Sequence, residues 1–145
     1  MSVRVQAGDF DPAEVLAGFG TGAGAVVTFT GQVRDLDGGG LLRMEIEHYP
    51  AMTEPAIAAM VAEARRRWSL SDVLVIHRFG ALVPGERIMM VATAARHRAG
   101  AFAAAEFLMD YLKSRAPFWK KEITEAGATW VEGKDADEAA LGRWG

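Results

Sequence analysis

The chain contains no cysteine. Disulfides, thiolate metal sites and any mechanism that holds sulfur or an acyl group on the protein's own thiol are thereby excluded. Histidine is almost as scarce: His48, His77 and His97 are the only three, and none forms a close pair of the HxxxH type. No metal site is expected from such a set. No stretch reaches the roughly 18 consecutive apolar residues of a membrane span, and the opening MSVRVQAGDF lacks the apolar centre of a signal peptide. A cytoplasmic protein without a membrane partner is the expectation. An excess of positive charge is missing too. With a net charge of −3, the molecule as a whole repels nucleic acid, and an anionic ligand must be met by a local cluster of cations.

What remains is globular. Half of the residues are hydrophobic and 24% are charged, which sets the chain apart from the polar, charge-rich signature of disorder. Its 145 residues suit one domain spanning 1–145, long enough to bury roughly two thirds of its unfolded surface. No internal repeat, low-complexity tract or linker interrupts it.

FDPAEVLAGF offers Asp11 as N-cap, Pro12 at the first helical position and Glu14 at the third, predicting a short helix near 12–19. AVVTFTGQV (25–33) is rich in β-branched residues and predicts a strand. RDLDGGG predicts a flexible turn, and LLRMEIEHY a second strand with Leu42, Met44 and Ile46 inward and Arg43, Glu45 and Glu47 outward. TEPAIAAMVAEARRRW predicts a helix with Thr53 as N-cap and Ile57, Met60, Val61 and Ala64 at helical spacing; Arg65, Arg66 and Arg67 complement its C-terminus. VLVIHRF and RIMMVATA predict two strands joined by GALVPGE.

From Ala99 to Ser114, Phe102, Ala105, Leu108, Met109 and Leu112 form an apolar stripe opposite Glu106, Asp110 and Lys113, and Pro117 stops the helix. ATWVE (128–132) predicts a last strand and DADEAALGRW a terminal helix or tail. From the second strand onward the order is β-α-β-β-α-β, an α+β domain with helices packed on a mainly antiparallel sheet.

Six of the sixteen lysines and arginines fall at the two ends of the long helix: Arg96 and Arg98 in RHR, then Lys113, Arg115, Lys120 and Lys121. A helix N-terminus with His97 and Arg98 beside it suits a phosphate. The two ends lie roughly 22 Å apart, so a small ligand touching both calls for two chains packed antiparallel. The competing readings are plain ones. A surface lysine is usually solvated, Lys113 can pair with Asp110 one helical turn back, and His77 inside an apolar strand reads as a hydrogen-bonded structural residue. The GTGAG segment lacks the lysine and spacing of a P-loop. An RNA-binding sheet would carry exposed aromatics on its central strands, and VLVIHRF and RIMMVATA supply almost none.

FTGQVRD (29–35), EHYPAMTE (47–54), VIHRFGALVPGE (75–86), ARHRAGAFAAAEFLMDYLKSRAPFWKKE (95–122) and WVEG (130–133) together resemble the catalytic (large) subunit of molybdopterin synthase, in the order and spacing of that family. The resemblance implies an α/β-hammerhead type fold and a central homodimer carrying two copies of a small ubiquitin-like sulfur carrier, a heterotetramer. It implies that the carrier's C-terminal thiocarboxylate threads into a pocket of this chain. There two sulfurs in turn convert cyclic pyranopterin monophosphate to the dithiolene of molybdopterin, with no cofactor bound by this chain. A chain without cysteine agrees, because its partner must bring the sulfur.

By motif, Lys113 and Lys120 match the family's two active-site lysines, and Arg34, His97 and Arg98 its pterin-phosphate and pocket residues. Lys113 is expected at the acyl carbon of the carrier tail and Lys120 as the acid or base of sulfur addition. Arg115, Phe29 and Met109 are further candidates for the carrier-tail pocket, with rim charge or pairing to an acidic residue as the competing reading for Arg115 and core packing for the other two. Gln32 stands where many relatives carry a basic residue and is left out of the site. The functional alternative is a non-catalytic module that binds a ubiquitin-like partner or a pterin phosphate.

Overall fold

The structure, a computed structural model, describes residues 2–131 and 135–144. Within them the chain runs β1 (Ser2–Gln6), α1 (Pro12–Val15), β2 (Ala25–Gln32), β3 (Arg43–His48), α2 (Pro50–Trp68), β4 (Asp72–Arg78), β5 (Gly80–Leu82), β6 (Arg87–Ala95), α3 (Arg98–Ser114), β7 (Phe118–Thr124), β8 (Gly127–Trp130) and α4 (Asp135–Gly142). These strands form two four-stranded sheets, ordered β1-β4-β6-β2 and β5-β3-β7-β8. β1 and β4 pair in parallel, and the other pairs are antiparallel. The architecture is the mixed α+β arrangement that the sequence predicts. Glu132, at the end of the predicted last strand, and Gly133 of WVEG lie outside the described residues.

The first sheet is buried on both faces at its centre. Alternation along β4 sends Val73 and Val75 to one side, against Ile57, Val61 and Ala64 of α2 and Ala101, Ala104 and Leu108 of α3. Leu74 and Ile76 go to the other side, where they meet Phe10, Met90 and Ala92, with Val15, Leu16 and Phe19 packed over them. Continuous apolar runs such as VLVI are what a doubly covered strand requires. Asp11 caps α1 by accepting from Ala13 N–H at 3.0 Å, as predicted, but the helix stops at Val15.

Five expectations need correction. β1 was not foreseen; its Val3 and Val5 pack on the main core. Neither β5 nor β7 was foreseen as a strand. The start of α2 lies at Pro50, with Tyr49 in the N-cap position, because proline at the first helical position needs no N–H partner. Thr53 is buried instead: its hydroxyl donates to the Tyr49 carbonyl at 2.7 Å and accepts from His48 Nδ1 at 3.0 Å. Leu42 is 48% exposed and Leu41 buried, because Asp35 Oδ1 accepts from both Leu36 N–H and Leu41 N–H and closes the glycine turn ahead of the strand. Lastly, Phe102 is 60% exposed. The buried face of α3 is built on Ala101, Ala104, Ala105, Phe107, Leu108 and Leu112, and its alanines let the helix approach β6 closely enough for Thr93 Oγ1 to donate to the Ala101 carbonyl at 2.7 Å.

A cationic cleft between the sheets as the candidate active site

A cleft of about 730 Å³ opens between the edge of the first sheet and the inner face of the second, closed at one end by the C-terminus of α3. β2 supplies Phe29, Thr30, Gly31 and Gln32, followed by Arg34; α3 ends in the wall with Lys113 and Ser114; β7 contributes Phe118, Trp119, Lys120 and Glu122. The β2–β6 register shifts between Gly31 and Gln32, and a bulge of this kind turns a strand end out of the sheet plane, which suits four consecutive β2 residues lining one cavity.

Pro117 separates the two lysines. Lys113 stands in the last turn of α3, where the helix dipole favours a cation. Asp110, one turn back, is engaged elsewhere: it accepts from Arg143 Nη2 at 2.9 Å and from Trp144 Nε1 at 2.6 Å. Trp144 is wedged edge-on against Trp68 and Phe107. The predicted Asp110–Lys113 pairing is thus replaced by contacts to the C-terminal segment, and no carboxylate among the described residues forms an ion pair with Lys113. Past the proline the chain becomes a strand. In the β3–β7 register Lys120 faces Ile46 and Phe118 faces His48, so Phe118, Lys120 and Glu122 share the inner face. Lys121 takes the outer face, 4.0 Å from Glu45 Oε1 and 4.7 Å from the centre of the Trp130 ring.

Beneath Phe118 lies a histidine. His77 is 2% exposed, its ring stacks on Phe118 with centroids 3.7 Å apart and planes 15° from parallel, and its Nδ1–H donates to the Arg78 carbonyl at 2.8 Å. Burial, and after it the charge of Lys120, push its pKa down to about 3, with smaller contributions from His48 and Lys113. The cations of the cleft thus act through its floor.

The model of the family described as MoaE protein matches residues 5–115. The chain belongs to the MoaE family. The molybdopterin synthase catalytic subunit of Cereibacter sphaeroides is 69% identical over 99% of this chain and 100% of the relative. The solved structure of the molybdopterin biosynthesis MoaE protein from Burkholderia ambifaria superposes with a TM-score of 0.83 at 49% identity, covering 100% of this chain and 99% of that one. A Helicobacter pylori assembly, described as the complex of subunits 1 and 2 of molybdopterin-converting factor, shares the fold at a TM-score of 0.77 and 18% identity, over 91% of each chain. This MoaE chain is accordingly of the molybdopterin synthase catalytic subunit kind, an enzyme component of molybdenum cofactor biosynthesis.

In this MoaE chain half of the eight predicted residues share the cleft. Arg34, Lys113, Lys120 and Phe29 line the cleft. His97 and Arg98 are exposed at the start of α3, the length of the helix away from Lys113. Arg115 turns outward to Glu138 Oε2 at 3.1 Å, and Met109 packs on the main core. Gln32, set aside in the sequence, lines the cavity together with Glu122, Trp119 and Ser114, and the Ser114 hydroxyl is buried without a hydrogen-bond partner among the described residues. Reading FWKKEIT as a strand would have found Glu122, two residues from Lys120 on the same face. Among the described residues no group of three or more histidine or acidic side chains is arranged to hold a metal ion, and no helix is long and apolar enough to cross a membrane.

Proposed function

We propose that the cleft receives the C-terminal thiocarboxylate of a small ubiquitin-like carrier and transfers its sulfur to cyclic pyranopterin monophosphate, twice, to form the dithiolene of molybdopterin. One observation carries this reading: Arg34, Lys113 and Lys120 converge on a single cavity in a chain that has no thiol of its own. Both ligands are anionic, and fixed cations in a partly desolvated cleft hold anions more strongly than cations in bulk water do. Lys113, at the mouth of the helix, addresses the acyl carbon of the carrier tail. Lys120, above the buried floor, moves the proton of sulfur addition. The chain binds no cofactor of its own in this scheme, and the cytoplasm is its compartment. The partner is the small subunit, a proposal that the Helicobacter pylori assembly of two unlike subunits supports.

A homodimer at the centre of a heterotetramer belongs to the same proposal. His97 and Arg98 are roughly 22 Å along α3 from Lys113, so they reach a cleft only in a second copy. β2 is an edge strand with Val26 and Phe29 exposed on it, and Phe102 is exposed on α3, which gives a second copy an apolar surface to cover.

Reconstitution tests the function. Thiocarboxylated carrier and cyclic pyranopterin monophosphate, mixed with this chain, are expected to give the dithiolene product; carrier binding without product would favour a binding module instead. Mixing an Arg98→Ala chain with a Lys120→Ala chain tests the shared site: activity that neither has alone is expected, and an active monomer would sink it.

A further inference from the structure

The synthase reading uses the cations of the cleft and leaves the histidine below them without a task. His77 follows Val73 and Val75 at every second position of β4, on the helix-facing side of the sheet. An apolar side chain would fill such a place without the cost of burying a polar ring. The imidazole is held on several sides. β4 runs between β1 and β6, and Nδ1–H is committed to the Arg78 carbonyl, which fixes the tautomer. Arg78 is itself anchored through the carbonyls of Ala7 and Arg87. One face of the ring then lies flat on Phe118. His48, opposite Phe118 in the β3–β7 register, contacts the same phenyl ring at 6.1 Å between centroids. Phe118 therefore stacks on one histidine and meets a second at the point where the chain leaves Pro117 and becomes β7.

We propose that His77 is a positioning residue for Lys120: its flat, immobile ring fixes Phe118, and Phe118 fixes the face of β7 from which Lys120 reaches the cleft. The effect on catalysis rests on the synthase reading, whereas the stack does not. The position requires a ring without charge. The groups that face it are Lys120 from β7, Lys113 from α3 and His48 from β3, and together with burial they keep it neutral. An imidazolium there would repel both lysines, and a branched aliphatic chain would occupy the volume without a plane to stack.

His77→Leu and His77→Phe, each assembled with thiocarboxylated carrier and assayed with cyclic pyranopterin monophosphate, separate the roles. His77→Leu is expected to lower kcat by about tenfold or more, with KM and carrier affinity within about threefold of wild type, because a misplaced reacting group costs rate more than binding. It is also expected to move the pH profile of kcat. His77→Phe, which restores the flat ring, is expected to recover both. Equal losses in the two variants, an unmoved pH profile, or a raised KM at unchanged kcat would overturn the proposal. Should the variants not fold, nitrogen-15 NMR of the free wild-type protein decides. A neutral Nδ1–H ring at about pH 5, shifted by the Phe118 ring current, is expected, and an imidazolium or an unstacked ring overturns it. Absence of product from wild type with a competent carrier refutes the synthase reading instead, and the NMR result then judges the stack alone.

Discussion

Lys120 lines the cleft, opposite Ile46 in the β3–β7 register and near enough to His77 for its charge to be felt, whereas Lys121, one residue on, lies on the outer face of the same strand against Glu45 and Trp130. Both are half-buried lysines on β7. Strand alternation alone assigns one to a cavity that gathers cations and the other to a sheet surface that supplies a carboxylate and an aromatic face. Charge at a position therefore says little until the position across the strand is known.

Breaking this contrast on the inner side should have the largest effect. Lys120→Ala is expected to lower turnover by two to three orders of magnitude, about 3–4 kcal/mol of transition-state stabilisation, while carrier binding, followed by calorimetry, persists. Lys121→Ala is expected to stay within about threefold of wild type; comparable losses in both would abolish the distinction.

The next effect concerns pH. His77 has a folded pKa of about 3 against an ordinary 6.5, so on acidification the unfolded chain takes up a proton that the folded chain refuses. Its contribution to stability is complete above about pH 6.5 and declines as the pH falls toward 3, by about 1.4 kcal/mol per pH unit. Urea unfolding between about pH 7 and pH 5 should show a shallower decline in His77→Phe than in wild type by that amount, and identical slopes would contradict it. The smallest effect lies on the outer face. Glu45→Gln weakens the pairs of Glu45 with Lys121 and with Arg43, and the unfolding free energy should fall by less than about 1 kcal/mol, as expected for partly exposed pairs.

Much of this was readable from residue order. The Asp11–Pro12 start of α1, the β-branched run of β2, the doubly buried β4 and β6, and the Pro117 stop are local signals with local causes. Five features were not, among them β7, whose FWKKEIT carries two adjacent lysines. β1 is only five residues long, although Val3 and Val5 alternate strictly with Ser2, Arg4 and Gln6, and β5 is three residues beginning at a glycine. The α2 start was hidden because Thr53 makes a good N-cap by type but is used as a buried bridge between His48 and Tyr49. The face of α3 was misread because alanine carries little hydrophobic signal, yet it is alanine that lets the helix lie close to the sheet. Within the site, charge placement and family motif together pointed to Arg34, Lys113 and Lys120. The length of α3 also set His97 and Arg98 apart from Lys113. Residue order could not show that His77, far away in sequence, comes near enough to Lys120 to feel its charge, since that proximity exists only after the two sheets pack.

β1 runs parallel to β4, with Ser2 opposite Leu74 and Gln6 opposite Arg78. Parallel partners cannot be joined by a hairpin, so β1 finds its place only after β2, β3 and α2 have been made. At common elongation rates that interval is on the order of ten seconds. Until then Val3 and Val5 have no core to enter, and Arg78, whose guanidinium later reaches back to the Ala7 carbonyl, has not been synthesised. β1 is thus sewn in late, and the nascent chain carries an open strand until β4 has been made.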